Sequence, residues 1–225
     1  DGVRRERLPH ALRGDRNDGL VDEDVRVHHR IRNPRRRQRF EDLDRNPQAT
    51  VAARSVPQLT PAEFKRQVEA LGDRIVRAFR DGLDLLDLSR PGVPDLAELN
   101  ARLEPRTGWR TVAVPGLVPD EVFFAMLADR IFPIGNFIRT FEQLDYLDEP
   151  DLFHDIFGHV PMLSDARAAG MMQRIGELGL AAIASGEGER IARIYWHSVE
   201  FGLAREGGEL KILGAGLASS FGEAH

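Results

Sequence analysis

The sequence predicts a mainly α-helical domain with a few short β-strands. Two observations support this class. Apolar residues recur at helical spacing in several runs between residues 59 and 204, and only two short runs are typical of strands. Strands and helices do not alternate in the regular way that builds a parallel sheet, so no parallel sheet is expected.

The first helical run is "LTPAEFKRQVEALGDRIVRAFRDGLDLL" (59–86). It opens with a capping box in which Thr60 is the N-cap, Pro61 takes the first position and Glu63 follows. Further helices are predicted over 94–103, 120–132, 149–160, 165–184 and 189–204. The two strand-like runs are "GWRTVAVPG" (108–116) and "ELKILGAG" (209–216).

Charge and pattern divide the chain near residue 58. Residues 1–60 carry a net charge of +4 and residues 61–225 carry −9. Because the first segment is rich in arginine and keeps no apolar period, we expect 1–58 to be disordered or unrelated to the domain formed by 59–225. Its run "RIRNPRRRQRF" is compatible with nucleic-acid binding, but acidic "EDLD" follows directly, which favours a solvated tail.

Composition narrows the chemistry. The 225 residues include no cysteine, which excludes disulfides, thiolate metal sites and a cysteine nucleophile. Histidine, aspartate and glutamate remain as the strong metal ligands. No apolar run is long enough for a membrane span and the N-terminus lacks a secretory signal, so a cytoplasmic protein is expected.

Two histidines, His154 and His159, lie five residues apart in the apolar run "EPDLFHDIFGHVPML". A regular helix would separate their side chains by roughly 140°. A π-type bulge would instead bring both to one side, with Gly158 easing the distortion and Pro161 ending the helix. The spacing therefore leaves two interpretations: two unrelated core histidines, or a shared metal on an irregular backbone.

A carboxylate, Glu200, lies in the apolar run "RIYWHSVEFGLA", on the predicted helical face of Trp196 and Leu203. A buried carboxylate must be neutralised, pair with a cation or bind a metal. An ion pair with Arg193 or Arg205 is one interpretation. Two histidines and one carboxylate also fit the facial site of non-haem Fe(II).

Four blocks make residues 65–223 resemble the aromatic amino acid hydroxylases, the tetrahydropterin-dependent iron monooxygenases, and most closely their bacterial phenylalanine hydroxylases. The blocks are "LDYLDEPDLFHDIFGHVPML", "ARIYWHSVEFGL", "GAGLASSFGE" and "TGW" with "VAVPGLVPDEVFF". The resemblance implies the fold of that family's catalytic domain. It also implies truncation at the C-terminus, since the family's domain continues beyond "SSFGE".

The resemblance further implies a phenylalanine 4-monooxygenase that converts L-phenylalanine to L-tyrosine with O2, Fe(II) and a tetrahydropterin such as tetrahydrobiopterin. A cytoplasmic monomer with no nucleic-acid or membrane partner is expected. Three alternatives stay open: a tryptophan hydroxylase of the same fold, a zinc hydrolase with the same ligands, and an inactive fragment or binding module.

Site residues follow from the same resemblance. His154, His159 and Glu200 occupy the iron-ligand positions, and Tyr195 lies between pterin and iron. Arg139 would hold the substrate carboxylate and Asp151 would orient that arginine. The other substrate-binding positions are Trp196, Phe201, Gly216, Ser219 and Ser220. The pterin-binding positions are Gly116, Leu117, Val118 and Phe123, of which Phe123 would stack on the ring.

Two positions depart from the family pattern. His197 replaces an aromatic residue three positions before Glu200, where it is a possible competing ligand or hydrogen-bond partner. Ala218 replaces a larger aliphatic residue beside Ser219 and Ser220, which would loosen the pocket.

Overall fold

The computed structural model describes residues 67–89, 93–137, 150–220 and 222–223, all within one compact unit, Asn33–His225. The predicted segment 1–58 and the capping box at Thr60 lie outside these residues. The described part is mainly helical with four short strands, which confirms the predicted class. Its α-helices are α1 Arg77–Leu85, α2 Leu96–Thr107, α3 Asp120–Ala128, α4 Val160–Leu163, α5 Ala166–Ala184, α6 Gly188–Tyr195 and α7 Ala215–Ser219.

Two segments have π-helical geometry, π1 His154–His159 and π2 Trp196–Glu200. The strands are β1 Arg110–Val114, β2 Ile131–Gly135, β3 Leu203–Glu206 and β4 Glu209–Ile212. Within the described residues, no helix is long and apolar enough to cross a membrane.

The first predicted helix is interrupted. Residues 67–71 are helical, a 3₁₀ turn covers Gly72–Arg74, and Ile75 is extended and pairs in parallel with Ile212 of β4. Only then does α1 begin. The prediction of one continuous helix over 59–86 is wrong, because Gly72 takes a φ of +43° and buried Ile75 gains a strand partner.

The first sheet is a parallel pair. Asp95 caps α2 by accepting hydrogen bonds from the backbone N–H groups of Ala97 (2.8 Å) and Glu98 (3.0 Å), and β1 follows that helix. β1 and β2 then pair in parallel from Arg110↔Ile131 to Val114↔Gly135, with α3 as the connection.

The expectation of no parallel sheet is therefore wrong, as is the single helix over 120–132. α3 ends at Ala128, Arg130 reverses the chain with a φ of 58°, and β2 starts at Ile131. Every residue of β2 is buried, so the run lacks the alternation that separates a strand from a helix in sequence.

The second sheet is a β-hairpin. β3 and β4 pair antiparallel across Gly207 and Gly208, whose φ values of 62° and 88° suit a tight hairpin turn. The predicted helix over 189–204 is thus too long, and Leu203 does not share a helical face with Glu200. The predicted strand over 209–216 is confirmed for β4, and its last two residues begin α7 instead.

Aromatic contacts connect the core to π1. Phe79 of α1 meets Phe157 of π1 edge to face at 5.6 Å between ring centroids, and Phe153 stacks on Phe157 at 4.9 Å. All three rings are buried. One side of π1 is therefore anchored in the main core, and its other side faces the site.

Candidate metal centre and active-site cleft

The two histidines converge because the helix widens between them. π1 runs from His154 to His159, as the five-residue spacing predicts. The two Nε2 atoms lie 3.1 Å apart and the ring planes cross at 82°. The side chains are only 14% and 2% exposed. The interpretation of two unrelated core histidines on a regular helix is excluded.

Gly158 allows π1 to approach α7. A Cβ atom on Gly158 would lie 3.0 Å from the Ala215 carbonyl oxygen and 3.1 Å from the Ala215 Cβ. Glycine is needed here for close packing in addition to backbone freedom. Pro161 does not stop the helix at once, because π1 continues into α4 with Pro161 in its first turn, where a missing N–H is tolerated; the helix then ends at Leu163, two residues later.

Glu200 completes the cluster from π2. The Phe201 N–H donates to the Trp196 carbonyl at 3.0 Å, an i→i+5 bond that widens this segment as well. Glu200 Oε1 lies 3.1 Å from His159 Nε2, and Oε2 lies 3.4 Å from His154 Nε2. The interpretation of Glu200 as the partner of Arg193 is wrong, since Arg193 pairs with Glu189 on the surface at 3.1 Å.

The charges of the cluster stabilise one another. Burial raises the pKa of Glu200, but the charge and hydrogen bond of His159, with smaller contributions from His154 and Tyr195, lower it to about 2. Burial lowers the pKa of His159, yet the neighbouring Glu200 carboxylate raises it above its usual value. For Tyr195, burial and then Glu200 raise the pKa well above the ordinary range. Glu200 is thus a carboxylate and the Tyr195 hydroxyl is neutral.

Asp155 is a further carboxyl group near the histidines, and it was not among the predicted ligands. Ligand atoms of His154, Asp155 and His159 lie within 4.8 Å of one another. Asp155 Oδ2 already accepts the Gly135 N–H at 2.7 Å, and burial raises the Asp155 pKa to about 7. Glu200 is charged and contacts both imidazoles, so it is the better third ligand. The sequence signal that could have identified Asp155 is its position next to His154 in an apolar run.

His154 is held from two sides. Its Nδ1 lies 2.8 Å from Ser219 Oγ on α7, and its backbone N–H donates to Asp151 Oδ1 at 2.9 Å. Asp151 is fully buried beneath π1. Arg139, the predicted partner of Asp151, lies outside the described residues, so that pairing stays a prediction.

The cluster forms the floor of a cleft of about 440 Å³. Most of the positions predicted from sequence line this cleft around the histidines, Glu200 and Tyr195. They are Gly116, Leu117, Val118, Phe123, Trp196, Phe201, Gly216, Ser219 and Ser220. Segments far apart in sequence, the loop after β1 and the π2–α7 region, thus face one cavity.

Aromatic rings shape the cleft. Tyr195 lies 5.3 Å from Phe123 in an edge-to-face contact and 6.3 Å from His159, between the predicted pterin stretch and the cluster. Trp196 packs on Phe201 at 4.7 Å and remains 55% exposed. Their flat apolar faces suit planar rings.

Other cleft residues escaped the sequence reasoning. Phe132 lies 4.8 Å from the His159 ring and lines the cleft, but it belongs to the strand that was predicted as helix. Asp120 and Glu223 also line the cleft. No local pattern distinguishes these residues from ordinary core or surface positions.

The two departures from the family pattern do not act as expected. His197 is exposed and lies outside the cleft, so it is not placed as a competing ligand. Ala218 is fully buried in the main core and also lies outside the cleft, so its small side chain does not loosen the pocket.

The donor set fits a divalent iron. A proton on His154 Nδ1, shared with Ser219 Oγ, leaves the Nε2 lone pair for a metal, the usual arrangement of metal-binding histidines. Two imidazoles and one carboxylate that meet at the floor of an open cleft match the facial site of non-haem iron oxygenases.

Comparisons with known proteins agree with this geometry. A family model described as biopterin-dependent aromatic amino acid hydroxylase matches residues 74–225. The phenylalanine-4-hydroxylase of Caulobacter vibrioides is 54% identical over 157 residues, which cover 70% of this chain and 53% of that protein.

Solved structures of phenylalanine hydroxylase from Chromobacterium violaceum are also similar. One, with bound iron(III) and oxidised cofactor 7,8-dihydrobiopterin, has a TM-score of 0.70 and 44% identity over 73% of this chain and 60% of that chain. Another, with iron and phenylalanine bound, has a TM-score of 0.68 and 41% identity over 73% and 59%. The chain thus spans about half the length of the Caulobacter relative.

Proposed function

Because the chain belongs to the biopterin-dependent aromatic amino acid hydroxylases, we propose that it hydroxylates L-phenylalanine to L-tyrosine with O2, Fe(II) and a tetrahydropterin. One observation carries the proposal. His154, His159 and Glu200 bring their ligand atoms within 3.1–3.4 Å of one another at the floor of the cleft. The names of the relatives support phenylalanine as the substrate.

In this proposal His154, His159 and Glu200 hold the iron. When bound, iron and tetrahydropterin would supply the oxygen-activating and reducing chemistry, and the protein contributes positioning and exclusion of water. Ser219 orients His154 through the 2.8 Å contact with Nδ1. Tyr195 contributes to the low pKa of Glu200 and would help to keep that carboxylate ionised beside the imidazoles.

The two ends of the cleft would bind the two organic molecules. Gly116, Leu117, Val118 and Phe123 are proposed to bind the pterin, with Phe123 against the ring. Trp196 and Phe201 would contact the phenyl ring of the amino acid, and Gly216 and Ser220 would line the rest of its site. Arg139, with Asp151 behind it, is proposed to bind the substrate carboxylate.

The test is an assay of tyrosine formation from L-phenylalanine by iron-loaded protein with tetrahydrobiopterin and O2. We expect turnover by the unsubstituted chain and its loss in the Glu200→Ala variant, which lacks one ligand. Unchanged turnover in that variant would refute the ligand assignment. A parallel assay with L-tryptophan tests the alternative of a tryptophan hydroxylase, which would hydroxylate L-tryptophan in preference to L-phenylalanine.

Metal content distinguishes the zinc hydrolase. Stoichiometric zinc in protein purified without added metal, together with no activity after iron is supplied, would overturn the oxygenase proposal. We also propose that the enzyme acts in the cytoplasm as a monomer. Light scattering on the purified chain measures the oligomeric state.

A further inference from the structure

The helix that carries Ser219 is short and needs support from elsewhere. α7 has five residues, too few for its last carbonyl groups to find partners within the helix. Ala218 is fully buried, so its carbonyl oxygen cannot be hydrated. It accepts a hydrogen bond from Gln67 Nε2 at 2.5 Å.

Gln67 comes from the opposite end of the described chain. It is 151 residues away in sequence and is only 5% exposed. A buried amide of this kind is expected to be kept in place by its hydrogen bonds, because losing a partner leaves a buried polar group unpaired.

The same N-terminal segment also holds the chain just before α7. Ile75 pairs in parallel with Ile212, and the Val76 N–H donates to the Ile212 carbonyl at 3.0 Å. Residues 67–76 therefore attach to the stretch from Ile212 to Ala218 at both of its ends. This arrangement holds both ends of the stretch that leads into and forms α7.

The position of α7 in turn places the Ser219 hydroxyl against His154. We propose that Gln67 is a positioning residue for the metal centre, acting through the Ala218 carbonyl and Ser219 on the orientation of His154. The inference rests on the proposed function, because it assigns to His154 a metal whose affinity Gln67 tunes.

The test uses Co(II) as an air-stable probe, with its affinity measured by calorimetry on the full chain. Gln67→Met keeps the length and removes the donor. We expect about a tenfold loss of Co(II) affinity, at the lower end of the roughly 10–100-fold effect of losing a group behind a metal ligand. Ser219→Ala should lower the Co(II) affinity by at least the same factor. Because both act on His154 by one route, the double variant should bind Co(II) as Ser219→Ala does.

A matched control separates this role from general packing. Gln173 Nε2 donates to the Ala128 carbonyl at 3.2 Å, a glutamine-to-backbone bond between α5 and the end of α3. Gln173→Met should lower the melting temperature and leave Co(II) affinity unchanged. Where Gln67→Met does not fold, Gln67→Glu, which has no donor when ionised, takes its place in the same comparison.

Two results would overturn the inference while the proposed function stands: unchanged Co(II) affinity in a folded Gln67 variant, or fully additive losses in the double variant. Absence of Co(II) binding by the unsubstituted chain would instead overturn the metal centre itself, and the role of Gln67 with it.

Discussion

Gly158→Ala tests whether the contact between π1 and α7 builds the site. The added Cβ would lie 3.0 Å from the Ala215 carbonyl oxygen and 3.1 Å from the Ala215 Cβ, tighter than most van der Waals contacts. Ala215 is buried, so the two elements must separate by a few tenths of an ångström. Overpacking of this kind costs about 1–3 kcal/mol.

The expected loss of folding free energy is partly offset, because alanine in a helix is roughly 0.5–1 kcal/mol more stabilising than glycine. The difference is centred on a net cost of ~1 kcal/mol, which corresponds to a fall in melting temperature of roughly 2–4 °C for a chain of this size. Since π1 carries His154 and α7 carries Ser219, Co(II) affinity should fall as well. Thermal unfolding followed by circular dichroism and calorimetric titration measure the two effects.

Gly170→Ala is the matched control. Gly170 lies in α5, and no atom lies within 4 Å of the position that an added Cβ would take, so the helix gain stands alone. The melting temperature should rise by roughly 1–4 °C and Co(II) affinity should not change. A Gly158→Ala variant as stable as the unsubstituted chain, with equal Co(II) affinity, would refute the packing argument.

Two further substitutions test the assignment of roles. Asp155→Asn should retain Co(II) binding, because Asp155 is not a ligand in this account and the amide oxygen can still accept the Gly135 N–H. If Asp155→Asn loses as much Co(II) affinity as Glu200→Gln in the same titration, Asp155 is the ligand instead. Trp196→Ala should raise the KM for phenylalanine about tenfold, equivalent to ~1.4 kcal/mol of lost binding free energy. The melting temperature should change little, because Trp196 is largely exposed. Steady-state kinetics and thermal unfolding measure the two effects, and an unchanged KM would show that Trp196 is not part of the substrate site.

The convergence of His154 and His159 could be predicted because its signal is local. Two histidines five residues apart in an apolar run can share a metal only if the helix widens, and π1 has that form. The carboxylate of Glu200 was recognisable as a buried charge that needs a partner. The sequence did not decide between an arginine and a metal site for it, since that choice depends on contacts distant in sequence.

Two strands were predicted as helix, for different reasons. Every residue of β2 is buried, so its sequence resembles the end of a buried helix. For the same reason Phe132, which belongs to β2, was not predicted to lie at the site. β3 was taken for helix although Gly207 and Gly208 follow it, a pair that signals a hairpin turn. The contact between Gln67 and Ala218 joins residues 151 positions apart, and no local pattern predicts it.

The measurement that tests the account most directly is anomalous diffraction at the iron edge from crystals of the iron-loaded chain. The account predicts one iron atom bonded to His154 Nε2, His159 Nε2 and the Glu200 carboxylate. An iron atom bound elsewhere, or one bonded to Asp155 with Glu200 turned away, would contradict it.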